Sequence, residues 1–322
     1  MRLNSKESVI IHVAELYYEQ GCSQSDIARI LKCSRSTVSR LLTDAVKNGI
    51  VKIIIKRPVE KLPSLADGIK NTFHLKDVIV VSGGTSSEQA FKNVGFATAE
   101  FLSQVLHDNM IIGISWGVTL SYLVQELSEH TFDFKGIEII QLMGGLGFGD
   151  PAIDGPELAQ KMAKTLRGTY RYLQAPAVLK SPYLAKHIME EKYIEETIKK
   201  AEQADVIISS VGSLMDNLSS MERSGYIKNE DRAEYQACGA IGHSLARLIN
   251  ENGEPIDHVF NQCVVGVSLD VLRKTKWSIG IVANPLKANV LLAAIKGKQF
   301  KVLVIDDGTA REILRLMDGT VL

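Results

Sequence analysis

The residues able to do chemistry fall into two groups of different character. From Ser34 to Arg40 the chain reads Ser-Arg-Ser-Thr-Val-Ser-Arg. Two guanidiniums and four hydroxyls around one apolar residue suit phosphate oxygens and base edges better than they suit bond-making chemistry. Arg35 and Arg40 are the expected phosphate or base readers, helped by Ser34, Ser36, Thr37 and Ser39, with Gln24 and Lys32 as flanking contacts. The second group is dispersed. It comprises Ser115, Trp116, Gly117 and Thr119 in GISWGVTL, Gly144 and Gly145 in QLMGGLG, and Gly212 and Ser213 in SSVGSL. His243 in GAIGHSLARL, and Asn284 and Lys287 in ANPLK, complete it. Glycines and hydroxyls let backbone N–H groups approach a phosphate or sugar hydroxyl, an ammonium can pair with a phosphate, and an indole offers a flat face to a sugar ring.

Each member of the second group has a plainer reading. A single glycine-rich turn is more often only a turn; four on one sheet improve the joint case without saying which of them touch ligand. His243 reads equally as a ligand-facing group or as a satisfied core histidine. Asp306 and Asp307 close an apolar run and are expected to cap the helix that follows rather than to do chemistry. No GxGxxG or Walker A pattern is present, so NAD and ATP are not expected. The four cysteines (Cys22, Cys33, Cys238, Cys263) show no CxxC spacing, which points to neither zinc nor a redox pair, and no metal or cofactor is expected.

The first group needs a helix held against a support. Ser23 followed by Asp26 is a capping-box pattern, and Ile27, Ala28, Ile30 and Leu31 give an apolar face. Lys32 and Cys33 fall where the chain must turn, at a place where glycine is usual; a left-handed lysine there costs about 1 kcal/mol. Ser34 can cap a second helix buried through Val38, Leu41 and Leu42. Two short helices joined by a tight turn form a helix-turn-helix, whose second helix enters the DNA major groove. The plainer alternative is a helical hairpin with polar outer residues. Glu7 to Gln20 is expected as a preceding helix, its stripe Val9, Ile10, Val13, Leu16 and Tyr17 being core. VKIIIKR, residues 51–57, is expected as a strand of a small wing, with Lys52 and Lys56 near phosphates.

With 322 residues and 45% hydrophobic content, the chain is long enough for two globular domains. No apolar run approaches the roughly 20 residues of a membrane span, and MRLNSKESVI lacks a signal-peptide core, so a cytoplasmic chain with reduced thiols is expected. Net charge is zero, but the distribution is uneven: residues 21–57 hold eight Lys or Arg against two acids, leaving the remainder six charges negative. A basic head on an acidic body fits a protein that meets nucleic acid through its head alone. Pro58 and Pro63 mark a boundary, giving a DNA-binding domain over 1–57, a linker over 58–63 and a larger domain over 64–322.

The larger domain alternates apolar runs with amphipathic stretches. Strands are expected at 77–81, 110–115, 137–142, 205–210, 277–282 and 301–306, and helices at 87–106, 156–166 and 287–296. Continuously apolar strands imply a parallel sheet covered on both faces, an α/β fold whose ligands gather at the strand carboxyl ends.

LYYEQGCSQSDIARILKCSRSTVSRLL followed by GIVKIII, then GISWGVTL, QLMGGLG, ADVIISSVGS, GAIGHSLARLINENGE and WSIGIVANPLKANVLLAAIKGKQFKVLVIDDGTA, carry a likeness over nearly the whole chain. The chain resembles the SorC-type family of bacterial sugar-responsive transcription regulators. That resemblance implies a winged helix-turn-helix on an effector domain similar to the sugar-phosphate isomerase and deaminase fold, one that binds a sugar or sugar phosphate without turnover. It also implies a homotetramer on operator DNA. Three positions depart from the family. His243 stands where many members have an Asp that holds ligand hydroxyls, and Asn284-Pro285 stands where many have Gly-Gly. Met143 stands where some have a lysine able to form a Schiff base, which excludes a Schiff base at that position. The sorbose-regulator branch, to which the likeness is closest, also lacks the Gly-Gly. The competing class is a sugar-phosphate isomerase or deaminase, but SSVGSLMDN stands where such deaminases carry a DGH-type run, and an enzyme has no use for the head. An architectural DNA binder with a vestigial body is the third reading.

Overall fold

The computed structural model describes residues 6–51, 59–147, 151–215 and 218–318. It divides into two compact units, Met1–Pro58 and Val59–Leu322.

In the first unit, helix α1 (Lys6–Ala14) runs into a π-helical turn over Glu15–Glu19, and helices α2 (Gln24–Ile30) and α3 (Arg35–Lys47) follow. Each begins as its sequence requires. The Ser23 Oγ accepts the Asp26 N–H at 3.2 Å, and the Ser34 Oγ accepts the Thr37 N–H at 3.1 Å. Lys32 takes the left-handed conformation, φ 50°, that the turn demands. Val13, Leu16, Ile27, Ala28, Val38 and Leu42 form one buried cluster. Two expected core residues lie outside: Tyr17 is 36% and Ile30 55% exposed. The wider π-helical turn breaks the 3.6-residue register just before Tyr17. Ile30 sits about 110° around α2 from the centre of the Ile27, Ala28 and Leu31 face. The expected wing strand, with Lys52 and Lys56, lies outside the described residues.

The second unit is built on seven parallel strands: β1 (Asp77–Val81), β2 (Ile111–Ile114), β3 (Glu138–Gln141), β4 (Thr169–Arg171), β5 (Val206–Ser209), β9 (Trp277–Val282) and β10 (Val302–Asp306). Their order is β1-β10-β9-β5-β2-β3-β4. All six expected strands are present. The seventh, β4, is a three-residue polar edge with no apolar run to announce it. Three shorter strands, β6 (Val211–Ser213), β7 (Gly242–Ser244) and β8 (Arg247–Ile249), form a separate antiparallel sheet. The connecting helices are α4 (Pro63–Phe73), α5 (Ser87–Val105), α6 (Val118–Leu127), α7 (Gly155–Thr165), α8 (Pro182–Glu190), α9 (Lys192–Ala201), α10 (Ser220–Arg223), α11 (Asn229–Ala237), α12 (Val259–Gln262), α13 (Asp270–Lys274), α14 (Ala288–Lys296) and α15 (Asp307–Asp318). Ile112, Ile114, Ile139, Ile207, Ile279 and Val304 are fully buried in the middle of the sheet, as expected of strands covered on both faces.

The stretch expected as a linker is not one over most of its length. Leu62 N–H donates to the Val80 carbonyl, Ser82 N–H donates to the Glu60 carbonyl, and Pro63 opens α4. Residues 59–62 therefore cover the outer edge of β1, whose backbone groups would otherwise lie unpaired. At the other end of the chain, Asp306 accepts a hydrogen bond from the Thr309 hydroxyl at the start of α15, and Asp307 accepts the Gly83 N–H at 2.8 Å.

Chain direction across the sheet reverses between β2 and β5. From β2 the chain moves outward through β3 and β4, and from β5 it moves the other way through β9 and β10. Such a reversal opens a crevice at the strand carboxyl ends, where ligands of α/β folds bind.

Candidate functional site

Helix α3 carries the polar face of the first unit. Opposite the buried Val38, Leu42 and Ala45, the residues Ser36, Arg40, Thr43 and Lys47 recur at helical spacing, and all are exposed. Arg35 opens the helix and is exposed, as are Ser39 and Lys32; Thr37 and Gln24 are half-buried. Among the described residues, Lys32, Arg35, Arg40 and Lys47 have no acidic partner within ion-pair distance, whereas Arg29 is paired with Asp26 at 3.2 Å. Ser34 is partly committed: besides capping, its hydroxyl lies 2.7 Å from Ser36 Oγ and 2.8 Å from Thr37 Oγ1. The result is a capped helix presenting unpaired cations and hydroxyls outward, which is the equipment for gripping a polyanion.

In the second unit a cavity of about 150 Å³ opens over the carboxyl ends of β2, β5 and β9. Of the residues singled out by sequence, Ser115, Trp116, Gly117, Thr119, Gly212, His243, Asn284 and Lys287 line it. Gly117 is the N-cap of α6 at φ 129°, without a side-chain cap. The first turn of that helix, with Val118 and Thr119, therefore turns uncapped N–H groups and the positive end of its dipole toward the cavity. The antiparallel sheet closes one wall. His243 on β7 packs against Gly212 so closely that a Cβ at Gly212 would lie 1.9 Å from the His243 Nε2. The His243 Nε2 is 3.2 Å from the Ser219 Oγ. Burial, and then the charge of Lys287, push the imidazole down to about 3, so it is neutral at physiological pH. Lys287 is itself pushed down to about 8, by desolvation and then by the neighbouring Arg223.

Gly144, Gly145 and Ser213 do not line this cavity, contrary to expectation. The Gly144 N–H donates to the Val265 carbonyl and the Gly145 N–H to the Ala175 carbonyl. A Cβ at Gly144 would meet the Pro176 and Ala175 carbonyl oxygens at 2.4 and 2.5 Å. The donors that follow are collected by Asp154: Leu146, Gly147 and Gly155 N–H groups donate to its carboxylate at 2.9, 3.2 and 2.7 Å. The glycines of QLMGGLG thus serve close backbone packing, and an internal carboxylate takes the place an external anion would need. Ser213 spends its Oγ on the Met215 N–H at 2.9 Å. Asp154→Ala is expected to cost about 2–3 kcal/mol, because it strands these donors. Urea unfolding checks this, and an unchanged midpoint would refute it.

Several lining residues carried no sequence signal. Arg223 stands exposed at the rim on α10, and Ser210 follows β5 with a buried Oγ that has no hydrogen-bond partner among the described residues. Leu245 and Ala246 form the β7–β8 turn with φ of 44° and 64°, both buried and both lining the cavity. A hairpin turn with two left-handed residues normally announces itself through Asn or Gly, and HSLAR contains neither. Among the described residues, no carboxylate lines the cavity.

Comparison with known proteins agrees with this geometry. Residues 57–315 match the family described as "Putative sugar-binding domain", and residues 11–43 match a helix-turn-helix domain family. The chain is 30% identical over 310 residues to the deoxyribonucleoside regulator of Bacillus subtilis (strain 168), covering 96% of this chain and 98% of that one. It is 27% identical to the sorbitol operon regulator of Klebsiella pneumoniae, covering 95% of this chain and 98% of that one. The solved structure of the full-length sorbitol operon regulator SorC from Klebsiella pneumoniae superposes with a TM-score of 0.72 at 26% identity, covering 96% of this chain and all of that one.

Proposed function

Because this chain belongs to the SorC-type family of transcription regulators, which join a helix-turn-helix to a sugar-binding domain, we propose that it controls a carbohydrate-utilisation operon in response to an anionic sugar, a sugar phosphate above all. The enzyme reading is not favoured, since the relatives above are named as regulators. The exposed face of α3, with Arg40 on it and Arg35 at the helix start, reads the operator. The protein works in the cytoplasm as a homo-oligomer, with the tetramer the resemblance implies, because one helix-turn-helix reads only a half-site. No helix among the described residues is long and apolar enough to cross a membrane.

One observation carries the ligand class: Lys287 lines the cavity with Arg223 at its rim, and no carboxylate is among its described lining residues. The start of α6, without a side-chain cap, and the buried Ser210 Oγ, unpartnered among the described residues, add donors to the same space. His243, kept neutral by its burial, adds no negative charge to that space. A ligand bearing a phosphate satisfies all of these at once. Bound ligand alters operator affinity by preferring one arrangement of the oligomer, a coupling typically of about 1–3 kcal/mol.

A thermal-shift screen of sugars and their phosphates tests this, since a ligand for the folded state raises Tm by mass action. Phosphorylated sugars are expected to raise it and their neutral parents to do so much less. A panel in which only neutral sugars act would overturn the anionic reading. The pH dependence has a definite sign. Lys287 titrates near 8 in the free protein, and a bound anion favours its charged form. Affinity is therefore expected to fall, by up to about tenfold per pH unit, as pH rises above 8. It also falls below pH of about 6, where a phosphate monoester takes up its second proton. Calorimetric titrations across this range check both limbs.

A further inference from the structure

We propose that a groove beside α3 is a second DNA contact, seating the sugar-phosphate backbone that borders the major groove, through Tyr17, Tyr18 and Lys47. This rests on the reading of α3 as the DNA-recognition helix. The groove has a volume of about 440 Å³. Along one wall lie Ser39, Thr43 and Lys47, spaced four residues apart on α3; along the other lie Tyr17, Tyr18 and Gln24. The π-helical turn at Glu15–Glu19 creates the second wall by turning both tyrosines outward, where their rings meet edge to face at 4.9 Å. Among the described residues, neither tyrosine hydroxyl has a hydrogen-bond partner, Lys47 has no ion-pair partner, and no carboxylate lines the groove.

Continuity and charge select the occupant. The groove is flanked by the outward stripe of α3 that carries Ser36 and Arg40, so a duplex engaged by that stripe brings a phosphate-bearing strand alongside. Tyrosine hydroxyls, the Gln24 amide, the Ser39 hydroxyl and an ammonium are groups that contact phosphates without reading sequence. The Thr43 hydroxyl is already spent on the Ser39 carbonyl at 3.0 Å and is not one of them. On this reading Tyr17, with Tyr18 beside it, belongs to the DNA face rather than to the core its spacing suggests.

The test uses the full-length protein and a fluorescent duplex selected from a random library by the wild type, titrated over a range of potassium chloride concentrations. Lys47→Gln is expected to weaken binding about 3- to 10-fold and to reduce the salt slope by about one for each engaged head. The double variant Tyr17→Phe and Tyr18→Phe keeps the rings and removes only the hydroxyls. It is expected to weaken binding about 3- to 10-fold with the salt slope unchanged, since no charge is lost. Arg40→Ala serves as the control for the recognition helix. If that control loses affinity while Lys47→Gln and the tyrosine variant bind as wild type, the groove is not a contact, though the reading of α3 stands. If the wild type binds no duplex with salt sensitivity, that reading fails as well. If the variants instead shift the sedimentation of the free protein and leave DNA binding intact, a second copy of the chain occupies the groove and the inference is overturned.

Discussion

Lys287→Gln is expected to lower affinity for a phosphorylated sugar by about 10- to 100-fold, while a neutral sugar's affinity changes only a few-fold. The estimate follows from the loss of one charge-assisted hydrogen bond in a desolvated site, about 1.5–3 kcal/mol. Among the described residues no carboxylate lies within ion-pair distance of the ammonium, and desolvation depresses its basicity to about 8. A ligand that supplies the missing negative charge recovers it, which is why the effect should follow the ligand's charge rather than its ring. Glutamine retains the stem and a polar tip, so collapse of the cavity does not confuse the result. Isothermal titration with a sugar phosphate and its dephosphorylated parent checks this. Equal losses for both ligands would reduce Lys287 to a structural role.

On the DNA side, Arg35→Ala and Arg40→Ala are each expected to lower operator affinity by about 10- to 100-fold, the worth of a good base or phosphate contact by a guanidinium. Both side chains are exposed and unpaired among the described residues, so truncation removes no internal ion pair and the helix-turn-helix should keep its fold. The ligand-induced rise in Tm should be unchanged in both variants, since the cavity is built wholly from the second unit. Gel-shift titrations measure the first effect and thermal shift the second. Wild-type operator binding by either variant would remove that arginine from the interface.

The two units differed in how far they could be read from sequence. Capping serines declare a helix start locally, because the acceptor and the N–H it meets are three residues apart. Ser23 and Ser34 therefore placed α2 and α3 to within a residue. Six of the seven strands of the large sheet were equally legible, since burial on both faces demands unbroken apolar runs; the polar edge strand β4 was not. Tyr17 misled because a π-helical turn changes the period that the stripe assumes. Gly144 and Gly145 misled because a glycine needed for backbone packing looks the same in sequence as one needed for a ligand.

What the sequence determined by itself was the helix-turn-helix, the parallel sheet and most of the cavity's strand-end residues, because each rests on contacts within a few positions of the chain or on a simple periodicity. What only the tertiary structure decided was which strand-end groups share one space. Asp154, next to α7, takes up the N–H groups of the glycine loop, while Arg223 on α10 and the Leu245–Ala246 turn join the cavity from positions far along the chain. Those outcomes depend on distances between segments that have no local signature, and packing alone fixes them.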